Sequence, residues 1–203
     1  MAFQPKSGPI GPISYEEFLR EYDAMHAEWV DGWAVVMEPV SWGHQEIVRF
    51  LSVLLSLFVE ARAAGRVLTA PFQMKTGHDL PGREPDIFFI AAAHDSQLRK
   101  NFLDGPADLA VEVVSPDSRR RDLVVKRLEY ERGGVREYWV IDPIRKEAIF
   151  YQLGADARYR AAALDRRGGY HSAVLEGLWL DPEWLWQEPL PKLMDVLREW
   201  KLI

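Results

Sequence analysis

Apolar positions along the chain fall into blocks whose spacing alternates between helical and strand-like. Ser14 followed by Glu17 has capping-box spacing, and Tyr15, Phe18, Leu19 and Tyr22 behind it predict a short helix. Glu28-Trp29-Val30 and Trp33 to Met37 flank Asp31-Gly32, which predicts a β-hairpin. From His44 to Ala64, Ile47, Val48, Phe50, Leu51, Val53, Leu54, Leu55, Leu57 and Phe58 cover most of a helix circumference. Such a helix is expected to be buried on several sides or to pack against a second chain. The runs 66–75, 85–91 and 108–114 read as strands of one sheet, with a polar loop from His94 to Gly105 between the last two. Ser115-Pro116-Asp117-Ser118 is expected to open a helix with a hydroxyl cap and a proline at its first position, and Gly133-Gly134 to close it. Arg136 to Asp142 returns as a strand, and Lys146 to Leu153 follows across an Asp-Pro turn. Strand, helix and strand in that order imply a crossover between parallel strands, hence an α/β fold. Shorter strands and turns are expected over 155–186, and a final helix from Pro191 to Leu202.

Composition narrows the class. With 203 residues and 48% hydrophobic content the chain can bury one substantial core, which favours one domain over 14–203 behind a flexible, Gly/Pro-rich arm at 1–13. The absence of cysteine excludes disulfides and thiolate metal sites and fits a reducing cytoplasm. Met1 to Gly11 has no apolar signal core, and the longest apolar segment, Ile47 to Phe58, is far short of the roughly 20 residues that span a bilayer. A cytoplasmic protein without a membrane partner is expected. The net charge of −6 counts against a DNA-coating protein but permits an enzyme with a local basic surface. Arg119, Arg120 and Arg121, with Lys126 and Arg127, supply that surface, although a solvated helix face is their ordinary reading.

The candidate chemistry lies in two carboxylates within apolar strands: Asp86 in Pro85 to Phe89, and Glu112 in Leu109 to Val114. An ionised carboxylate in such surroundings must be paired, neutralised or bound to a cation. With Lys126 just downstream, the pattern suggests a hard divalent cation, Mg²⁺ or Mn²⁺, held by Asp86, Glu112 and the carbonyl of Val113, and phosphodiester hydrolysis as the reaction. Lys126 would orient the attacking water or stabilise phosphorane charge; action as a base would need a lowered pKa. Each residue also has a plain structural reading. Asp86 can cap a turn, Glu112 can face solvent, Asp122 and Lys126 have the spacing of a surface ion pair, and His44 suits a helix start. Trp179, Trp184 and Trp186 can stack on bases, but nearby acidic residues favour core packing or a dimer contact.

The linked order of Glu28-Trp29-Val30-Asp31-Gly32, His44, Pro85-Asp86, Glu112-Val113-Val114-Ser115-Pro116, Asp122, Lys126, Tyr130 and Gly134 to Pro143 resembles the large bacterial family known as putative restriction endonucleases, in the PD-(D/E)XK superfamily. The resemblance spans about 14–155, with a weaker echo beyond. It implies a restriction endonuclease-like core with a mixed central β-sheet flanked by helices and a Mg²⁺ or Mn²⁺ site on adjacent strands. Asp86 and Glu112 match the two acidic motif positions, and Glu28 the upstream one. The motif lysine is replaced by Val114, and Lys126 takes its place from the following helix. The implied activity is an endonuclease acting on nucleic acid, DNA above RNA, and a homodimer would suit two-strand cleavage. Two other classes stay open: an inactive nucleic-acid-binding or regulatory module on the same fold, and a structural homo-oligomerisation protein.

Overall fold

The computed structural model describes residues 11–22 and 25–203. Most of the expected arm, residues 1–10, lies outside the described residues. Its last part is laid along the first hairpin: Ile13 N–H donates to the Gly32 carbonyl at 2.8 Å, and Trp29 Nε1–H donates to the Ile13 carbonyl at 3.0 Å.

Helix α1 (Tyr15–Glu21) starts at the expected capping box, with reciprocal Ser14 and Glu17 bonds. Strands β1 (Ala27–Val30) and β2 (Trp33–Val36) form the hairpin, turning at Asp31 and Gly32, whose φ values of 51° and 84° suit the tight turn Asp-Gly encodes. Helix α2 (Trp42–Ala61) follows, then β3 (Gly65–Thr69), β4 (Gln73–Lys75), β5 (Gly82–Arg83), β6 (Ile87–Ala91), β7 (Phe102–Asp104) and β8 (Leu109–Val113). Helix α3 (Arg127–Gly133) precedes β9 (Glu137–Asp142), β10 (Glu147–Leu153), β11 (Tyr159–Ala161), β12 (Tyr170–His171), β13 (Trp179–Leu180) and α4 (Leu193–Glu199).

The central sheet has the order β11-β10-β9-β8-β6-β3 and is mixed: β8 and β9 run parallel, as the crossover requires, and the other pairs are antiparallel. A second sheet, β2-β1-β5-β4-β7, carries the hairpin. The expected strand 66–75 is therefore two strands in two sheets. Pro71, which has no N–H to donate, interrupts the ladder between β3 and β4. The loop 94–105 is also more ordered than its polarity suggested, holding a tight helical turn (Ala92–Gln97) and β7.

Period-two alternation divides the core. On one face of the central sheet Leu109, Val111, Val113, Ile87 and Phe89 pack against Phe50, Leu54 and Phe58 of α2 and against Leu197 and Trp200 near the C-terminus. On the other, Ala110, Phe88, Ile90, Tyr138 and Val140 meet Met74, Leu103 and Tyr130. Each fully buried side chain of this kind contributes about 1.5–3 kcal/mol. Helix α2 buries a broad stripe and leaves Trp42 and Leu57 exposed. The tryptophan segment is largely core: Trp184 and Leu185 are buried, and the Trp179 and Trp184 rings lie 5.0 Å apart.

The segment after β8 departs from expectation. Ser115 to Ser118 forms a turn in which Ser118 Oγ accepts the Ser115 N–H at 2.8 Å, and the helical path starts at Arg119. It widens into a π-type turn over Arg121–Lys126 before tightening into α3, which Gly134 closes at φ 84°. Such turns recur at functional sites because they re-aim side chains within a helix.

Candidate active site

The β6–β8 ladder places the first carboxylate. Pairing runs from Phe89↔Leu109 to Ile87↔Val111 and then stops. Asp86, just before β6, continues it with a side chain: its Oδ2 accepts the Val113 N–H at 2.7 Å. His44 reaches the same oxygen from α2, with Nε2 3.2 Å from Asp86 Oδ2. Ser41 Oγ caps that helix by accepting the His44 N–H. Because both contacts fall on Oδ2, Oδ1 is left uncommitted.

Glu112 sits opposite Val111 and Val113, as alternation requires, but its face is covered rather than solvated. Lys126 Nζ donates to Glu112 Oε1 at 2.8 Å, and Tyr130 OH donates to the same oxygen at 2.8 Å. Here too one oxygen is anchored and the other, Oε2, is uncommitted. Lys126 Nζ also lies 2.9 Å from Glu28 Oε1. The other Glu28 oxygen accepts from Arg83 at 2.7 Å, and Arg83 forks onto Glu129 with two bonds of 2.8 Å. Side-chain exposure falls from 15% at Asp86 to 5% at Glu112 and 1% at Glu28, so Asp86 fronts the cleft and Glu28 is sealed behind it.

Protonation follows from this layout. Burial works against ionising Glu28, but Lys126 and Arg83 outweigh it and hold its pKa at about 2. Burial pushes Glu112 up to about 8; Lys126 opposes the rise, while Asp122, Asp86 and Glu28 add to it. Burial also disfavours the Lys126 charge, yet Glu112, Glu28 and Asp122 keep it well above the ordinary lysine range. Lys126 is thus a fixed cation, and the conditional role of base does not suit it. Glu84 is pushed up to about 8, chiefly by burial.

Asp86, Glu112, Lys126, Glu84 and His44 line a cleft of about 450 Å³ bounded by the loop before α2, the Ser115–Ser118 turn and the start of the following helix. Four buried polar atoms without a hydrogen-bond partner belong to cleft-lining residues: His44 Nδ1, Glu84 Oε2, Arg121 Nε and Asp122 Oδ1. Among the described residues no three His, Asp or Glu side chains converge as a ready-made metal cage. The donor set fits Mg²⁺ or Mn²⁺ nonetheless, because these cations are commonly held by one or two carboxylates plus water and substrate phosphate. Asp86 and Glu112 each offer one uncommitted hard oxygen, in surroundings with more carboxylates than cations.

The structure brings Glu28, Asp86, Glu112 and Lys126 together, with Val113 between the two acidic positions. It does not bring in the arginines. Arg119 is bound to Asp142 at 2.9 Å and reaches Glu147 at 3.4 Å. Arg120 is exposed, and Arg127 lies over the Tyr151 ring, 5.8 Å from its centre. Only Arg121 lines the cleft, 3.8 Å from Asp122. The surface-pair reading of Asp122 and Lys126 fails, since both are buried and 4.0 Å apart. Sequence reasoning missed Arg83, Glu84, Gln73 and Glu129. Arg83 and Glu84 carried a signal, being charged residues directly ahead of Pro85-Asp86. Gln73, which donates to Glu84 Oε1 at 2.7 Å, carried none.

A mixed sheet with carboxylates at the ends of two adjacent strands, and a lysine from the next helix laid across them, defines a restriction endonuclease-like fold. A crystal structure described as a putative nuclease belonging to DUF820, from Anabaena variabilis ATCC 29413, superposes with a TM-score of 0.70 at 18% identity, covering 86% of this chain and 98% of that one. No curated protein matches the sequence. The chain belongs to the Uma2 family, described as "Putative restriction endonuclease", whose model matches residues 14–183.

Proposed function

We propose that the protein is a Mg²⁺- or Mn²⁺-dependent endonuclease that hydrolyses phosphodiester bonds in DNA. The observation that carries this reading is the pairing of Asp86 and Glu112 on adjacent strands, each with one oxygen anchored and one free, beside the fixed cation of Lys126. Asp86, Glu112 and the Val113 carbonyl would hold the ion, which when bound supplies charge stabilisation at the phosphoryl oxygens and a more acidic water.

The remaining work falls to side chains. His44 and the Val113 N–H fix Asp86, so its free oxygen is preset. Tyr130 and Lys126 do the same for Glu112. Lys126 stabilises the negative charge that grows on the phosphorus-bound oxygens, a role that needs a permanent ammonium in a water-poor site. Glu28 and Arg83 act behind it as positioning residues, with Arg83 held in turn by Glu129.

The test is cleavage of plasmid and linear DNA with Mg²⁺ or Mn²⁺ by the wild type and by Asp86→Ala, Glu112→Gln and Lys126→Met. Metal-dependent strand scission lost in all three variants is the expected result. Scission that survives in Asp86→Ala and Glu112→Gln would overturn the assignment.

A further inference from the structure

The candidate active site continues past Asp86 into a second lobe. Beyond the cleft that reaches Glu112 and Lys126 lies a groove of about 580 Å³ along α2, lined by Gln45, Arg49, Ser52 and Thr69 to Pro71. The two share His26, Glu38, Pro39, Val40, His44 and Asp86, so they meet over the carboxylate nearest to solvent. Their chemistry differs. The first lobe is acidic, with Glu84, Glu112, Asp117 and Asp122 against Arg121 and Lys126. The second has no acidic residue beyond the shared Glu38 and Asp86, and presents the Arg49 guanidinium, the Gln45 amide and the Ser52 and Thr69 hydroxyls.

A charge gradient along a groove that runs past the reacting position suits a chain-like polyanion rather than a compact substrate. Resting on the nuclease reading, we propose that the α2 lobe binds the sugar-phosphate backbone next to the scissile phosphate, with Arg49 and Gln45 as its phosphate contacts. The acidic lobe accepts the scissile phosphate only together with the cation and Lys126, so the neighbouring phosphate falls to the α2 lobe. Arg49 is held by Glu46 through Nε at 3.1 Å and Nη2 at 3.0 Å, which leaves Nη1 to donate to a phosphate. This assignment places the phosphate contacts on α2 rather than on Arg119, Arg120 and Arg127.

The experiment is fluorescence anisotropy of a labelled DNA oligonucleotide, with Ca²⁺ replacing Mg²⁺, across a salt series. It compares wild type, the double variant Arg49→Ala/Gln45→Ala, and Arg166→Ala as a matched loss of charge at an exposed position outside the groove. The double variant is expected to bind about tenfold more weakly, with the salt slope reduced by about one, as for loss of a phosphate contact. The penalty is expected to vanish when the DNA is shortened on one side of the scissile bond. Unchanged affinity and slope, or an equal loss in Arg166→Ala, would overturn this assignment while leaving the nuclease reading intact. Wild-type protein that neither binds nor cleaves DNA would remove both.

Discussion

Lys126 is the residue on which the buried network depends. Its ammonium is shared by Glu112 and Glu28, with Asp122 just beyond, and all four side chains are buried. Removing one partner of a buried pair leaves the other charge uncompensated, at a cost of about 3–5 kcal/mol. Lys126→Met should lose about that much stability in urea or guanidinium unfolding. Glu28 and Glu112 are chemically alike but should behave oppositely. The folded pKa of Glu28, about 2, lies below the ordinary 4.5, so its contribution is fully present above pH 4.5 and is lost as pH falls toward 2. That window is worth about 3 kcal/mol, and Glu28→Gln should lack this part of the acid limb in unfolding measured across pH. The folded pKa of Glu112, about 8, lies above 4.5, so its contribution is greatest below pH 4.5 and declines as pH rises toward 8. In metal-free protein at neutral pH, Glu112→Gln should therefore be no less stable than wild type. A large loss in that variant would favour a purely structural ion pair, the reading a homo-oligomerisation protein requires.

At the scale of elements, two buried carboxylates outside the site act as knots between segments. Glu137, at the start of β9, accepts from Trp139 Nε1 at 2.7 Å, Ser172 Oγ at 3.1 Å and the Ala173 N–H at 2.7 Å, tying the loop after β12 to the central sheet. Asp108 ties β6 and β9 to β8 through the Ala91 N–H at 2.7 Å and Arg136 at 3.0 Å. Glu137→Ala leaves several buried donors without acceptors, each costing about 1–3 kcal/mol. It should lower stability by at least about 3 kcal/mol and speed amide hydrogen exchange at 172–175 before the rest of the molecule. Local signals were legible in the sequence wherever one short motif decides the outcome: the capping box at Ser14, the Asp31-Gly32 hairpin, the Gly134 stop and the β8–β9 crossover. They failed where tertiary contacts decide. The split between β3 and β4 depends on which sheet each edge meets, and the widened turn at 121–126 on where Asp122 and Lys126 are buried. The short strand β5 forms between β1 and β4, and β7 pairs with β4.

Across the whole molecule the site is a junction of both sheets. Glu28 and Arg83 come from the second sheet, Asp86 and Glu112 from the edges of β6 and β8, Lys126 from the following helix and His44 from α2. Asp86, Glu112 and Lys126 could be picked out because a charge in an apolar run needs a partner, and their linked order completed the pattern. Arg83 and Glu84 could not, because nothing in one dimension says that β5 lies beside β1. Net charge was a poor guide to where a polyanion would bind: Arg119 is spent on Asp142 and Glu147 and Arg127 on Tyr151, and the donors beside Asp86 are scattered along α2. The central claim is that Asp86 and Glu112 together hold a hard cation. Calorimetric titration of Mn²⁺ into wild type, Asp86→Ala and Glu112→Gln, with circular dichroism to establish folding, tests it most directly. Saturable binding by wild type that disappears in both folded variants is the predicted result. Binding that persists in both, or none by wild type at millimolar Mn²⁺, would contradict it.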